Sequence, residues 1–273
     1  MRKSRDPGAS RPRLLAIAAL AAALVAPALL AVVSPVPAPP SPATPFLGRF
    51  TFRTYAQEEG LTDLSVECVL QDRLGYLWAG TDDGLFRFDG RQFTKFSREQ
   101  GLPRTRIYQL FETSDGRFYA ATAAGLTRFT SGRFVVIDEQ SGLGPFAISH
   151  EGLAADAAGT VYVGTDRGLY SGKNDHYEYD KEANALGDGP VAAVHVDASG
   201  AVYYARGGRL YRKESGHAVE FGRPRGLPTD ETIDDVASDA QGRLWARTVK
   251  HLYLLPRAGR STASGRSRSK RDR

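Results

Sequence analysis

From Gly60 onward the apolar residues fall in short runs, "SVECVLQ", "YLWAGT" and "LFRF" first, parted by hairpin-sized gaps rich in Gly and Asp. The runs favour β-branched and aromatic residues, a pattern that predicts antiparallel strands. It also repeats. Aligned on a turn glycine, the copies read "QDRLGYLWAGTDDGLFRF", "ETSDGRFYAATAAGLTRF", "ADAAGTVYVGTDRGLYSG", "VDASGAVYYARGGRLYRK" and "SDAQGRLWARTVKHLYLL". The glycines are Gly75, Gly116, Gly159, Gly200 and Gly242, 41, 43, 41 and 42 residues apart. Three places after each stands an aromatic: Trp78, Tyr119, Tyr162, Tyr203 and Trp245. A further run follows in four copies as "QFTKF", "RFVVI", "HYEYD" and "AVEF". Units of this length with room for four strands predict an all-β fold, a β-propeller of about five four-stranded blades. The repeated aromatics are expected between blades, and no helical stretch is expected after residue 40.

The first copy packs Asp82, Asp83 and Asp89 into eight residues, which raises the question of a metal. The other copies answer it. Ala123 and Ala124 replace Asp82 and Asp83 in the second copy, Val249 and Lys250 in the fifth. None has the D-x-D-x-D ligand spacing of a calcium loop. The aspartates are read as turn formers. So are the pairs Asp72–Gly75, Asp156–Gly159, Asp197–Gly200 and Asp239–Gly242, where Asp bonds the backbone beyond it and Gly tolerates positive φ. No metal and no cofactor is expected.

The two ends change the picture. "MRKSRDPGASRPR" precedes the uncharged run Leu14 to Val33, so residues 1–33 read as a signal peptide or signal anchor. The run is long enough to span a bilayer, and the flanking positive charge sends the rest of the chain out of the cytoplasm. Residues 34–45, "SPVPAPPSPATP", form a proline-rich linker, residues 46–256 hold the repeats, and the basic tail 257–273 is expected to be disordered. The tails carry the basicity. Setting aside +4 from residues 1–13 and +6 from residues 257–273, the net charge of +5 becomes −5 for the body. An acidic body argues against nucleic acid as its partner. Cys68 is the only cysteine, so no intramolecular disulfide is available, and its apolar neighbours predict a buried, inert thiol.

Closure of the ring has two readings. "FLGRFTFRTY", Phe46 to Tyr55, looks like a fourth strand standing before the first unit, and the fifth unit stops at its third strand, "HLYLLP". Pairing Phe50–Tyr55 with Leu252–Leu255 would close five blades and leave no free edge. The other reading is an incomplete larger ring, slightly favoured by the basic tail beginning at Arg257.

The motif from Gly60 to Phe88 resembles the two-component regulator propeller repeat. The matching positions are Gly60, Leu61, Val66, Asp72, Gly75, Leu77, Trp78, Gly80, Thr81, Gly84, Leu85, Arg87 and Phe88. "EQGLP" at Glu99–Pro103 and "RPRGLP" at Arg223–Pro228 fit the same loop. The likeness covers roughly residues 47–255 and decays in the last two copies. It implies an extracytoplasmic sensor region of the kind found in hybrid histidine kinases and diguanylate cyclases. The chain lacks the phosphoacceptor helix, ATP-binding domain and cyclase motif of that family, so the resemblance implies a sensing module without its own output domain.

No catalytic motif stands out. His150, His176, His195, His217 and His251 fall at unrelated offsets, and no G-x-S-x-G elbow or P-loop is present. Strand alternation puts the loops entering each blade and the turns between second and third strands on one face, the D-x-x-G turns on the other. The first face collects Asp82, Asp83, Arg104, Arg106, Asp166, Arg167, Arg206, Thr229, Asp230 and Arg247, a rim suited to hydroxyl-rich or anionic ligands. The expectation is an exported, non-enzymatic propeller, periplasmic or anchored in the inner membrane. It would sense a small molecule or glycan, or dock a membrane sensor protein, with a membrane contact through the N-terminal segment if that is uncleaved. A propeller-shaped lyase or hydrolase acting on a carbohydrate or lactone is the rival reading. An inactive fragment of a larger sensor is the third.

Overall fold

The computed structural model describes residues 52–103 and 106–255. The run Leu14–Val33, the linker, the basic tail and Arg104 lie outside the described residues. No helix among the described residues is long and apolar enough to cross a membrane.

The repeats become antiparallel sheets in chain order. The first holds β1 (Val66–Gln71), β2 (Leu77–Thr81), β3 (Gly84–Phe88) and β4 (Phe93–Phe96). The second holds β5 (Ile107–Glu112), β6 (Phe118–Thr122), β7 (Gly125–Thr130) and β8 (Arg133–Val136). The third holds β9 (Ile148–Ala155), β10 (Val161–Thr165), β11 (Gly168–Lys173) and β12 (His176–Tyr179). The fourth holds β13 (Val191–Val196), β14 (Val202–Arg206), β15 (Arg209–Glu214) and β16 (His217–Glu220). The fifth has β17 (Ile233–Ser238), β18 (Leu244–Thr248) and β19 (Leu252–Leu255) only. Within each sheet every strand pairs with the next in sequence, and one parallel pairing, Ala193 with Glu151, joins β13 to β9. This all-β arrangement is consistent with a β-propeller.

The D-x-x-G turns form as expected. Asp72 Oδ1 accepts from the amides of Leu74 (3.0 Å) and Tyr76 (2.9 Å), and Gly75 takes a φ of 90°. The same carboxylate has a second duty. Its Oδ2 accepts from Trp78 Nε1 at 2.7 Å, so the turn aspartate fixes the repeated aromatic. Asp239 does this for Trp245 at 3.0 Å, and Asp197 for the Tyr203 hydroxyl at 3.2 Å. In the second sheet Thr113 stands in for Asp, its hydroxyl accepting from the Arg117 amide at 3.0 Å.

One expectation fails locally. A short helix, α1 (Lys181–Asn184), interrupts the strands after residue 40. Asp180 caps it, its carboxylate accepting from the Ala183 amide at 3.0 Å, and Ala183 is buried between the third and fourth sheets. An aspartate with a buried alanine three places on outweighs the turn pattern there.

Packing between sheets repeats as faithfully as the strands. Leu85 packs with Ile107 and Leu110, Leu126 with Ile148 and Leu153, Leu169 with Val191 and Val194, and Leu210 with Ile233 and Val236. In each case a leucine on a third strand meets two aliphatics on the first strand of the next sheet. Trp78 is 1% exposed, its ring centroid 4.7 Å from Phe118 and 5.2 Å from Phe129. Cys68 joins this layer, and burial pushes its thiol up to about 12.

The closed-ring reading pairs Phe50–Tyr55 with Leu252–Leu255, and of these Phe50 and Thr51 lie outside the described residues. Among the described residues, Phe52–Tyr55 is not a strand and β19 has no partner on its outer edge. Tyr55 instead lies 4.9 Å from Phe88 and 6.1 Å from Phe93. That is the place Phe96 takes against the second sheet, 5.6 Å from Phe129 and 6.0 Å from Phe134. The side chain sits where the end of a fourth strand would.

Candidate functional site

The face that carries the β2–β3 turns and the loops entering each sheet holds the sequence-predicted rim. Arg106 gathers two carboxylates, Glu67 at 2.8 Å and Asp82 at 2.9 Å, and so ties the second sheet to the first. Its guanidinium holds the Glu67 carboxyl below the usual range. Asp83 turns away, binding Lys95 at 2.6 Å while its amide donates to Asp63 at 2.8 Å. Asp89 accepts from the amides of Arg91 (2.8 Å) and Gln92 (2.9 Å), a turn duty. Asp166 and Arg167 face each other at 3.9 Å, Arg247 faces Asp235 at 3.8 Å, and Asp230 is exposed on the loop before β17. Among the described rim residues two pairs form, Asp82 with Arg106 across sheets and Asp166 with Arg167 within one turn, while Asp83 and Arg247 pair with charges outside the rim.

Arg206 is a correction. It stands at the register of Thr81, Thr122, Thr165 and Thr248, and it is 3% exposed. Its guanidinium donates to the Gly187 carbonyl and the Asn184 side chain at the end of α1. A side chain spent on holding α1 is not on the ligand rim.

A concavity lies on the opposite face. Between the D-x-x-G turns of the fourth and fifth sheets runs a groove of about 630 Å³, lined by Asp197, Ser199, Tyr203, Arg212, Glu214, Phe221, Ser238, Gln241 and Leu244 among others. Between the second and third sheets Arg117 reaches across, donating to the Gly159 carbonyl at 3.1 Å. Ala201 holds the equivalent place in the fourth sheet, one residue after the turn glycine, and sends nothing across.

The groove's polar wall is one connected set. Tyr203 donates its hydroxyl to Asp197 Oδ2 at 3.2 Å and accepts from Arg212 Nε at 3.2 Å, while Arg212 Nη1 pairs with Glu214 at 2.7 Å. Burial raises the tyrosine's pKa. Burial opposes ionisation of Asp197 too, but hydrogen bonds from Ser199, Ala201 and Tyr203 outweigh it and hold the carboxyl low. Phe221 and Leu244 supply an apolar floor. Ser238 lies 2.6 Å from His195 Nε2, and burial lowers the His195 pKa, leaving a neutral imidazole near pH 7. Charged donors and acceptors over an apolar floor suit a ligand with many hydroxyls and one apolar face. These residues escaped the sequence reading because it looked for a ligand on the other face: Asp197, Tyr203, Arg212 and Phe221 stand at the repeat registers that Asp72, Trp78, Arg87 and Phe96 hold in the first sheet.

The comparisons follow the fold. Residues 60–83 match the two component regulator propeller family. A histidine kinase P4 of Formosa agariphila is 46% identical over 44 residues, 16% of this chain and 3% of that protein. The extracellular domain of a hybrid two component system from B. thetaiotaomicron superimposes with a TM-score of 0.62 at 20% identity, over 74% of this chain and 30% of that one. Virginiamycin B lyase from Staphylococcus aureus superimposes with a TM-score of 0.51 at 12% identity, over 72% of this chain and 71% of the lyase. The chain therefore spans under a third of the sensor structure it resembles and a small part of the kinase.

Proposed function

We propose that this chain, which carries a two component regulator propeller repeat, works outside the cytoplasm as a ligand-sensing module, its five sheets the blades of one propeller arc. The groove between the fourth and fifth sheets is the binding site. The observation that carries this is the Asp197–Tyr203–Arg212 set, three polar groups held by one another and open to a cavity large enough for a small saccharide. The sensor ectodomain likeness and the repeat at residues 60–83 support a sensing or docking role.

Titration of the purified chain against a panel of neutral and acidic oligosaccharides, with products followed by NMR, tests the reading. Saturable binding without product is expected, weakened at least tenfold by Arg212→Gln. Turnover of any panel member would instead favour a lyase or hydrolase, the rival that the Ser238–His195 pair and the lyase likeness keep open. Binding that survives Arg212→Gln unchanged would move the site off this groove.

A further inference from the structure

Each first strand breaks its pairing with the second strand at one place. A single residue bulges out between Val66 and Cys68, Ile107 and Gln109, Val191 and Ala193, and Ile233 and Asp235. The residue before the bulge is aliphatic each time, whereas the bulged ones are Glu67, Tyr108, Ala192 and Asp234. The geometry repeats and the chemistry does not, so the fold leaves these side chains free to vary. β9 departs furthest. Ile107 and Leu110 span two steps of β6 with two residues between them, while Ile148 and Leu153 span two steps of β10 with four, Ser149 to Gly152. The insertion shows in the sequence as the 43-residue spacing from Gly116 to Gly159, against 41 on either side.

The long bulge is held on both sides. Gln109 of β5 exchanges hydrogen bonds with the Leu153 backbone at 2.8 and 3.3 Å. Towards β13, Ser149 Oγ donates to the Val191 carbonyl at 2.6 Å and Glu151 makes the parallel pairing with Ala193. A Cβ at Gly152 would meet the Gly164 carbonyl at 2.7 Å, so this path needs glycine. The bulge faces both ways from there. The His150 ring lies 4.5 Å from Tyr108, and beside Arg106 its charge also favours an ionised Glu67. Glu151 is close enough to Asp235 and Arg247 to sense their charges. First strands of non-adjacent sheets thus converge on it, on the face opposite the groove. Glu151 is half-buried, which raises its pKa, and among the described residues no donor bonds its carboxylate. The rim charges beside it are spent on ion pairs; this one is not.

We propose that the β9 bulge is a second binding site, separate from the groove, where Glu151 and His150 take the hydroxyls of a neutral sugar. Bulges re-aim side chains and recur beside functional sites. An ionised carboxylate only accepts, so a half-buried one without donors suits a ligand that brings O–H groups. The His150 imidazole adds one donor or acceptor, with Tyr108 behind it. Glu67, Asp234 and Asp235 surround the place with negative charge, which disfavours acidic sugars.

Histidine NMR of the full chain in a mild detergent tests this, because two rings report the two sites. His150 reads the bulge, and His195 reads the groove through Ser238. The probes are maltose, lactose and cellobiose, with digalacturonate as the acidic control. At least one neutral disaccharide should shift the His150 line saturably, and digalacturonate should bind there at least tenfold more weakly. Glu151→Gln should weaken the neutral sugar at least tenfold, while Arg212→Gln should leave the His150 shift unchanged. A His150 line that no neutral probe moves would overturn the proposal, even if His195 moves and the groove stands. So would a shift lost in Arg212→Gln, or an affinity unchanged in Glu151→Gln. Should that variant lose the native circular dichroism, His150→Gln at an exposed ring replaces it. Its calorimetric affinity for the same sugar should fall at least threefold, and an unchanged value would equally overturn the site.

Discussion

The first and fifth sheets carry the same local signals and live in different surroundings. Trp78 and Trp245 both follow a D-x-x-G turn, and both donate the indole N–H to the turn aspartate. Trp78 is sealed by phenylalanines of the next sheet, whereas Trp245 is half-buried. Leu85 and Leu252 differ in the same sense. Local sequence sets the turn, the register and the rotamer anchor. A neighbouring sheet sets the energy, as repeat architectures require when each unit buries its faces only against the next.

Paired substitutions sharpen this contrast. Trp78→Ala should cost about 3–5 kcal/mol in urea unfolding, the range for a large buried aromatic, and Trp245→Ala much less. A similar loss for both would mean that Trp245 is covered in solution. Leu169→Ala should cost about 2–5 kcal/mol, while Leu252→Ala, at an exposed side chain, should change the unfolding midpoint by almost nothing. Asp72→Ala leaves the Trp78 indole and two turn amides unpaired, so a loss of about 1–3 kcal/mol is expected in the same assay.

Much of the fold was legible because its signals are periodic. Five glycines at near-equal spacing, each followed by an aromatic, fix the sheets and their order. The expected fourth strands appear within a residue or two of their predicted limits. What was not legible came from single residues that break the period. Asp180 and Ala183 build α1, and Arg206 replaces a threonine to brace it. The groove was hidden for the opposite reason, because Asp197, Tyr203 and Arg212 stand on repeat registers and look like fold. The rim residues were chosen by topology, and topology cannot tell a free arginine from one already held, as Arg106 is by Glu67 and Asp82.

Smaller effects follow at the surface. Arg106→Ala should barely move the unfolding midpoint, because the side chain is half exposed and solvent screens its two ion pairs. The pH dependence carries a sign. Burial lowers the folded-state pKa of His195 below 6.5, so the folded protein binds fewer protons than the unfolded chain there. Stability from this group is present above about pH 6.5 and is lost as pH falls below it. His195→Gln should flatten that part of the pH profile of the unfolding midpoint, and an unchanged slope would assign it to other groups.

Amide hydrogen exchange resolved by peptide tests the central claim most directly, because it reads all five sheets in one sample. In the full chain, the account predicts the slowest exchange in β6, β10 and β14, which have sheets on both sides, and the fastest strand exchange in β17 to β19. Uniform protection across the five sheets would contradict it, since it would show that a sheet with one neighbour is held as firmly as a sheet with two.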